Sequence, residues 1–172
     1  TAHLLSVHVR DAIDALLKNS STIRNHAIIA FEREPELLRD PRAVQQLIKL
    51  GQTLDGGYSS HQTVGTRLVD VVISRPEGLA NVALVSAIVE KFELPISKDA
   101  LRIFEAAPTE IMAREDMQKA MSRYATRILD SGFSSHAVLA NRLASVLIQH
   151  VSSVDPALVV DAIVMKPSMF FE

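Results

Sequence analysis

Histidine is the first side chain to question for chemistry, because an unperturbed imidazole changes charge near neutral pH and is a common base and metal ligand. Two of the six histidines, His61 and His136, stand at equivalent places in a segment that the chain uses twice. Both fall in the expected first turn of a helix, where the helix dipole disfavours a protonated imidazole. A position repeated in two copies reads as repeated packing, so a structural role is expected for both. His3 and His8 are five apart and do not make the i, i+4 pair of a helical zinc site. No H-E-x-x-H, P-loop or G-x-S-x-G pattern is present. The "DGG" at Asp55 to Gly57 reads as a turn, since it lacks the spacing and preceding strand of a phosphate cradle.

Carboxylates occur in pairs at Asp11 and Asp14, Glu32 and Glu34, Glu36 and Asp40, and Glu110 and Glu115. Acid–base catalysis needs carboxylates converging in one pocket with their pKa values pushed apart. These pairs fall in connecting loops or on polar helix faces, where solvated side chains are expected. Arg67 and Arg142 recur beside Leu68 and Leu143; they read as snorkelling over the core edge or pairing with Asp55 and Asp130. With no cysteine, thiolate nucleophiles, thiolate metal sites and disulfides are all excluded. The expectation is therefore no catalytic residue, no cofactor-binding residue and no metal ligand.

Bulk properties agree with an ordinary globular chain. The 172 residues are 48% hydrophobic and 22% charged, enough for one well-buried domain. Eighteen basic against twenty acidic side chains give a net charge of −2, which argues against general nucleic-acid binding through phosphates. No apolar run approaches the roughly 20 residues of a membrane span. The sequence starts at Thr1 without Met, which reads as a removed leader or a trimmed start.

The elements that must carry these residues follow from the repeat. "LDGGYSSHQTVGTRLVDVVI", Leu54 to Ile73, returns as "LDSGFSSHAVLANRLASVLI", Leu129 to Ile148, identical at ten of twenty positions with a shift of 75. Each copy reads as a Gly-containing turn, two serines and an amphipathic helix, with Val64, Leu68, Val71 and Val72 on one stripe and Leu139, Leu143, Val146 and Leu147 on the other. A second echo joins "HAIIAFE" at His26 to "DALRIFE" at Asp99. Ser20, Ser59, Ser97 and Ser134, taken as markers of the turn inside each hairpin, give a period in the high thirties. "EREPELLRDP", "SRPEG", "AAPTE" and "SSVDP" punctuate the hairpins, because proline cannot continue a helix. Asp40–Pro41 and Asp155–Pro156 read as N-cap and N1 pairs.

The expected fold is all-α: one domain over 1–172, an α-solenoid of about four helical hairpins plus a C-terminal capping helix. The hairpins cover approximately 4–32, 41–74, 79–106 and 116–150, and the closing helix 156–164. Helices are expected near 4–17, 21–32, 41–53, 60–74, 79–92, 98–106, 116–130 and 135–150. After them comes "MKPSMFFE", whose Met165, Met169, Phe170 and Phe171 read first as a cap over the open end of the stack. The functional reading of Met169, Phe170 and Phe171 is an apolar anchor for another protein.

Ala27, Ile28, Phe31 and Ala100, Leu101, Ile103, Phe104 resemble the "A-L-x-x-F" helix of pentatricopeptide repeats, related to tetratricopeptide repeats. The match is good in the third hairpin, fair in the first, and limited to length and period in the second and fourth. That family reads RNA with polar residues of first helices, but no recurring Asn, Thr or Ser register is present here. No nucleotide code is carried over. In size, near-neutral charge and processed-looking start the chain is similar to the helical-repeat accessory subunits on the catalytic head of the mitochondrial ATP synthase of trypanosomes and other Euglenozoa. That resemblance implies a non-catalytic subunit in the mitochondrial matrix, peripheral to the inner membrane, with the ATP synthase alpha subunit as partner. The alternative is an organellar RNA-binding protein of the pentatricopeptide type, with Arg42, Lys49, Lys119 and Arg123 as the candidate basic residues.

Overall fold

The computed structural model describes residues 7–9, 11, 21–54, 59–91, 94–130, 136–150 and 157; at 21–25, 59–60, 91, 94–97, 128–130 and 136–137 only the backbone is described. Among these residues the chain is helical, with short connections and no strand. The helices are α1 (Ser21–Arg33), α2 (Pro41–Thr53), α3 (Ser59–Ile73), α4 (Pro76–Ala80), α5 (Val82–Lys91), α6 (Leu94–Ala106), α7 (Thr109–Met112), α8 (Glu115–Asp130) and α9 (His136–Gln149). A 3-10 helix, Pro35–Arg39, links α1 to α2.

Helix starts follow from local chemistry. The Asp40 carboxylate accepts a hydrogen bond from the Arg42 N–H at 2.9 Å, and Pro41 occupies a first-turn position where no N–H is needed. This is the cap expected for the Asp40–Pro41 pair. Asp40→Ala is expected to cost about 1 kcal/mol, read as a lowered urea midpoint with an unchanged m-value. The other pair, Asp155–Pro156, lies outside the described residues, as does the closing helix 156–164 apart from helical Ala157.

The prolines do more than punctuate. Pro35 and Pro76 each start a short helix in the connection, and Pro108 precedes a third, because a fixed φ and a missing N–H suit a first turn. The expected helix over 79–92 is accordingly split at Asn81, whose side-chain oxygen accepts from the Leu84 N–H at 3.1 Å and caps α5. Ser97 does not mark a turn; α6 begins at Leu94, with Pro95 tolerated in its first turn, and Ser97 lies inside the helix. Ser20 and Ser134 fall outside the described residues.

Packing runs chiefly between helices of successive segments. α1 packs on α3, α3 on α6 and α6 on α9, while α2 packs on α5 and α5 on α8, which makes two adjoining rows. α5 sits between α2 and α8 and also touches α4 and α6. Its Val82, Leu84, Val85, Ile88 and Val89 are therefore buried almost all round. The paired phenylalanines of the second echo, Phe31 of α1 and Phe104 of α6, are both fully buried. Phe104 meets Tyr124 of α8 with ring centroids 5.6 Å apart and planes tilted by 54°, tying the two rows together.

Candidate docking surfaces

Of the carboxylates expected to be solvated, Asp11, Glu32, Glu34, Glu36, Glu110 and Glu115 are exposed and Asp40 is half-buried, and several hold cations. Glu32, near the end of α1, receives both the Nε and an Nη of Arg67 from α3, at 2.8 and 2.7 Å. Asp70 of α3 receives Arg102 of α6 at 2.7 Å. Glu105 of α6 receives Arg142 of α9. One row is thus laced from α1 to α9 by arginines that each reach back to the preceding helix. Asp55 and the side chain of Asp130, the partners considered from the sequence beside snorkelling, lie outside the described residues. Arg67 and Arg142 pair across the stack. The reason is geometric: α1 and α6 pack alongside α3 and α9, bringing Glu32 and Glu105 beside mid-helix arginines. The signal was present in the two echoes, which repeat the acid at Glu32 and Glu105 and the base at Arg67 and Arg142.

The second row has its own pairs. Arg39 bridges Glu36 and Glu77, both at 2.8 Å. Arg114 holds Asp116 at 2.9 Å and donates to the Ala80 carbonyl at 2.9 Å. Among the basic residues considered for RNA, Lys119 is held by Glu115 at 2.7 Å and Arg123 by Glu90 at 2.6 Å. Arg42 and Lys49 are exposed on α2. A phosphate approaching Lys119 or Arg123 would compete with a carboxylate already in contact.

The Glu32 carboxyl is held below its ordinary range, chiefly by the hydrogen bond from Arg67. Glu115 is lowered by Lys119, and Asp116 by Arg114. A carboxylate depressed in the folded state stabilises it above the unfolded value of about 4. That contribution is lost as pH falls through the folded value. Stability is expected to drop below about pH 4.5, and Arg67→Ala to make the drop shallower while costing at most about 1 kcal/mol near neutrality. Urea midpoints of both proteins from about pH 7 to about pH 3 check this; parallel curves would contradict it.

The remaining candidates are scattered. His61 lies half-buried in the first turn of α3, His8 is exposed in a helical turn, and the side chain of His136 and all of His3 lie outside the described residues. Among the described residues no three His, Asp or Glu side chains gather as a metal could require. No described helix is long and apolar enough to cross a membrane. Met165, Met169, Phe170 and Phe171 lie outside the described residues, as does Asp14.

Two buried polar residues escaped the sequence reading. His150, 2% exposed, continues α9 by donating its N–H to Val146 and sets Nδ1 3.3 Å from the Thr109 hydroxyl of α7, leaving Nε2 without a hydrogen bond. The Gln46 Oε1 of α2 is likewise buried without one. No warning came from the sequence, since each directly follows another polar residue, Gln45 or Gln149. At the other extreme, Val138 and Ile148 of α9 are large apolar side chains left in solvent. The chain matches no family model, no curated protein and no solved structure.

Proposed function

We propose that this protein is a non-catalytic accessory subunit of a mitochondrial ATP synthase, of the helical-repeat kind that attaches to the outside of the alpha subunit in the euglenozoan catalytic head. On this reading the fold is an α-solenoid of four pentatricopeptide-like hairpins closed by the helix 156–164. Docking uses the broad helical faces, and the matrix face of the inner membrane is the place of work. The observation that carries it is the arrangement of charge: arginines are used to lace helix to helix, through Glu32–Arg67, Asp70–Arg102 and Glu105–Arg142, on a two-row helical stack. Such a surface suits protein contact better than a phosphate backbone, whose binding draws on unpaired cations. The resemblance in size, charge and repeat type supplies the identity of the partner.

The second reading, an organellar RNA-binding protein, draws on Arg42 and Lys49, exposed on one helix. It is the weaker, because Lys119 and Arg123 on α8 are already paired. Affinity purification of the tagged protein from mitochondria of its source, with and without nuclease, separates the two. Stoichiometric ATP synthase head subunits that survive nuclease are the expected result. Ribosomal or RNA-processing proteins that vanish with nuclease would overturn it.

A further inference from the structure

The repeated segment allows one helix face to be followed from the interior of the stack to α9, the last helix among the described residues. In α3, Thr63, Thr66, Asp70 and Ile73 are spaced i, i+3, i+7 and i+10 and lie on one stripe. Neighbouring elements meet this stripe. The Thr66 hydroxyl is 3.0 Å from Asp99 of α6, Asp70 receives Arg102 of α6, and Ile73 packs against the core. The same stripe in α9, 75 residues on, is Val138, Asn141, Ser145 and Ile148. All four are exposed, Val138 at 64% and Ile148 at 70%.

Three of the four positions differ in the later copy, Asn141 standing where α3 has Thr66, and two of the exchanges change the chemistry of the face. Val138 stands where α3 has Thr63, and Ser145 stands where α3 has Asp70. The Ser145 hydroxyl only turns back to the Asn141 carbonyl of its own helix, at 3.1 Å. The carboxylate that would receive the next arginine is gone and an aliphatic group has been added. Another repeat helix bringing an arginine would leave that charge unpaired, whereas an apolar segment would cover Val138 and Ile148 without burying a charge.

We propose that this face of α9 is the docking site of the chain's own segment Met165 to Phe171. That segment offers Met165, Met169, Phe170 and Phe171 and brings no arginine; its one charge, Lys166, sits on a long stem that lets the ammonium stay in water while the apolar groups cover Val138 and Ile148. Reach is ample. Even with the helix 156–164 formed, the chain from His150 to Met165 reaches about 34 Å, about 14 Å of it helix and about 20 Å extended, against about 21 Å for the whole of α9.

The absence of cysteine makes the contact directly testable in the purified full chain. Ser145→Cys is paired in turn with Met169→Cys and with Phe170→Cys, and each pair is oxidised mildly. Gln45→Cys, exposed on α2 in the other row, replaces Ser145→Cys in the control pairs. The expected result is an internally bridged monomer that forms at least about ten times faster than in the controls, as a held contact raises effective concentration. A bridged dimer would assign the face to a second copy and overturn the proposal. Closure no faster than the controls would overturn it too, leaving the face to another protein. The outcome does not depend on the ATP synthase reading, because no partner is present.

Discussion

Phe104→Ala is expected to remove about 3–5 kcal/mol of stability. Phe104 is fully buried in α6, and α6 packs against α3, α5 and α9, so the ring is shared by both rows. Truncation deletes its apolar burial, leaves a cavity and breaks the tilted contact with Tyr124. In a stack held by neighbour contacts, weakening α6 also loosens the attachment of α9. Urea unfolding followed by circular dichroism should therefore show both a lower midpoint and a lower apparent m-value, as the end of the stack melts ahead of the rest. A loss under about 1 kcal/mol with an unchanged slope would contradict this placement of the ring.

Gly78→Ala is the second large effect, and its cause is different. Gly78 lies in α4, where a built Cβ would come 2.4 Å from the Val72 carbonyl oxygen and 3.0 Å from its Cα. These are backbone atoms of α3, which cannot move without displacing the helix. A cost of about 2–3 kcal/mol is expected, from overpacking. Gly51→Ala provides the contrast. A Cβ at Gly51 would meet Leu68 Cδ2 at 3.6 Å and Ile88 Cγ1 at 3.8 Å, both ordinary contacts. Inside α2 that substitution is expected to stabilise by about 0.5–1 kcal/mol, by lowering the entropy of the unfolded chain. Thermal or urea midpoints of the two variants should move in opposite directions; a shift of the same sign would refute the close approach of α4 to α3.

How far the candidate surfaces were legible depends on the kind of signal. Glu32 and Arg67 each stood out by recurrence as Glu105 and Arg142, yet their partnership did not, because sequence spacing cannot say which helices lie side by side. The basic residues Lys119 and Arg123 were visible as charges. That they are held by Glu115 and by Glu90 depends on local geometry for the first and on helix packing for the second. Val138 falls in the helix expected near 135–150, inside the fourth hairpin. Its exposure emerges only when α9 is seen to have no following helix among the described residues against its outer stripe.

By itself the sequence determined the helical class, the repeat and the starts of most helices. These are properties of neighbouring residues: a period near 3.6, a cap such as Asp40 and a proline at a first turn act within a few residues of each other. Proline also misled locally, since the same rigidity that ends one helix starts another at Pro35 and Pro76. Only the tertiary structure decided which helices form each row, which arginine meets which carboxylate, and which Gly has room for a methyl group. Those outcomes depend on the approach of segments more than 30 residues apart, as in the 35 residues between Glu32 and Arg67. No local preference encodes that approach; it is selected by the burial of complementary apolar faces across the whole stack.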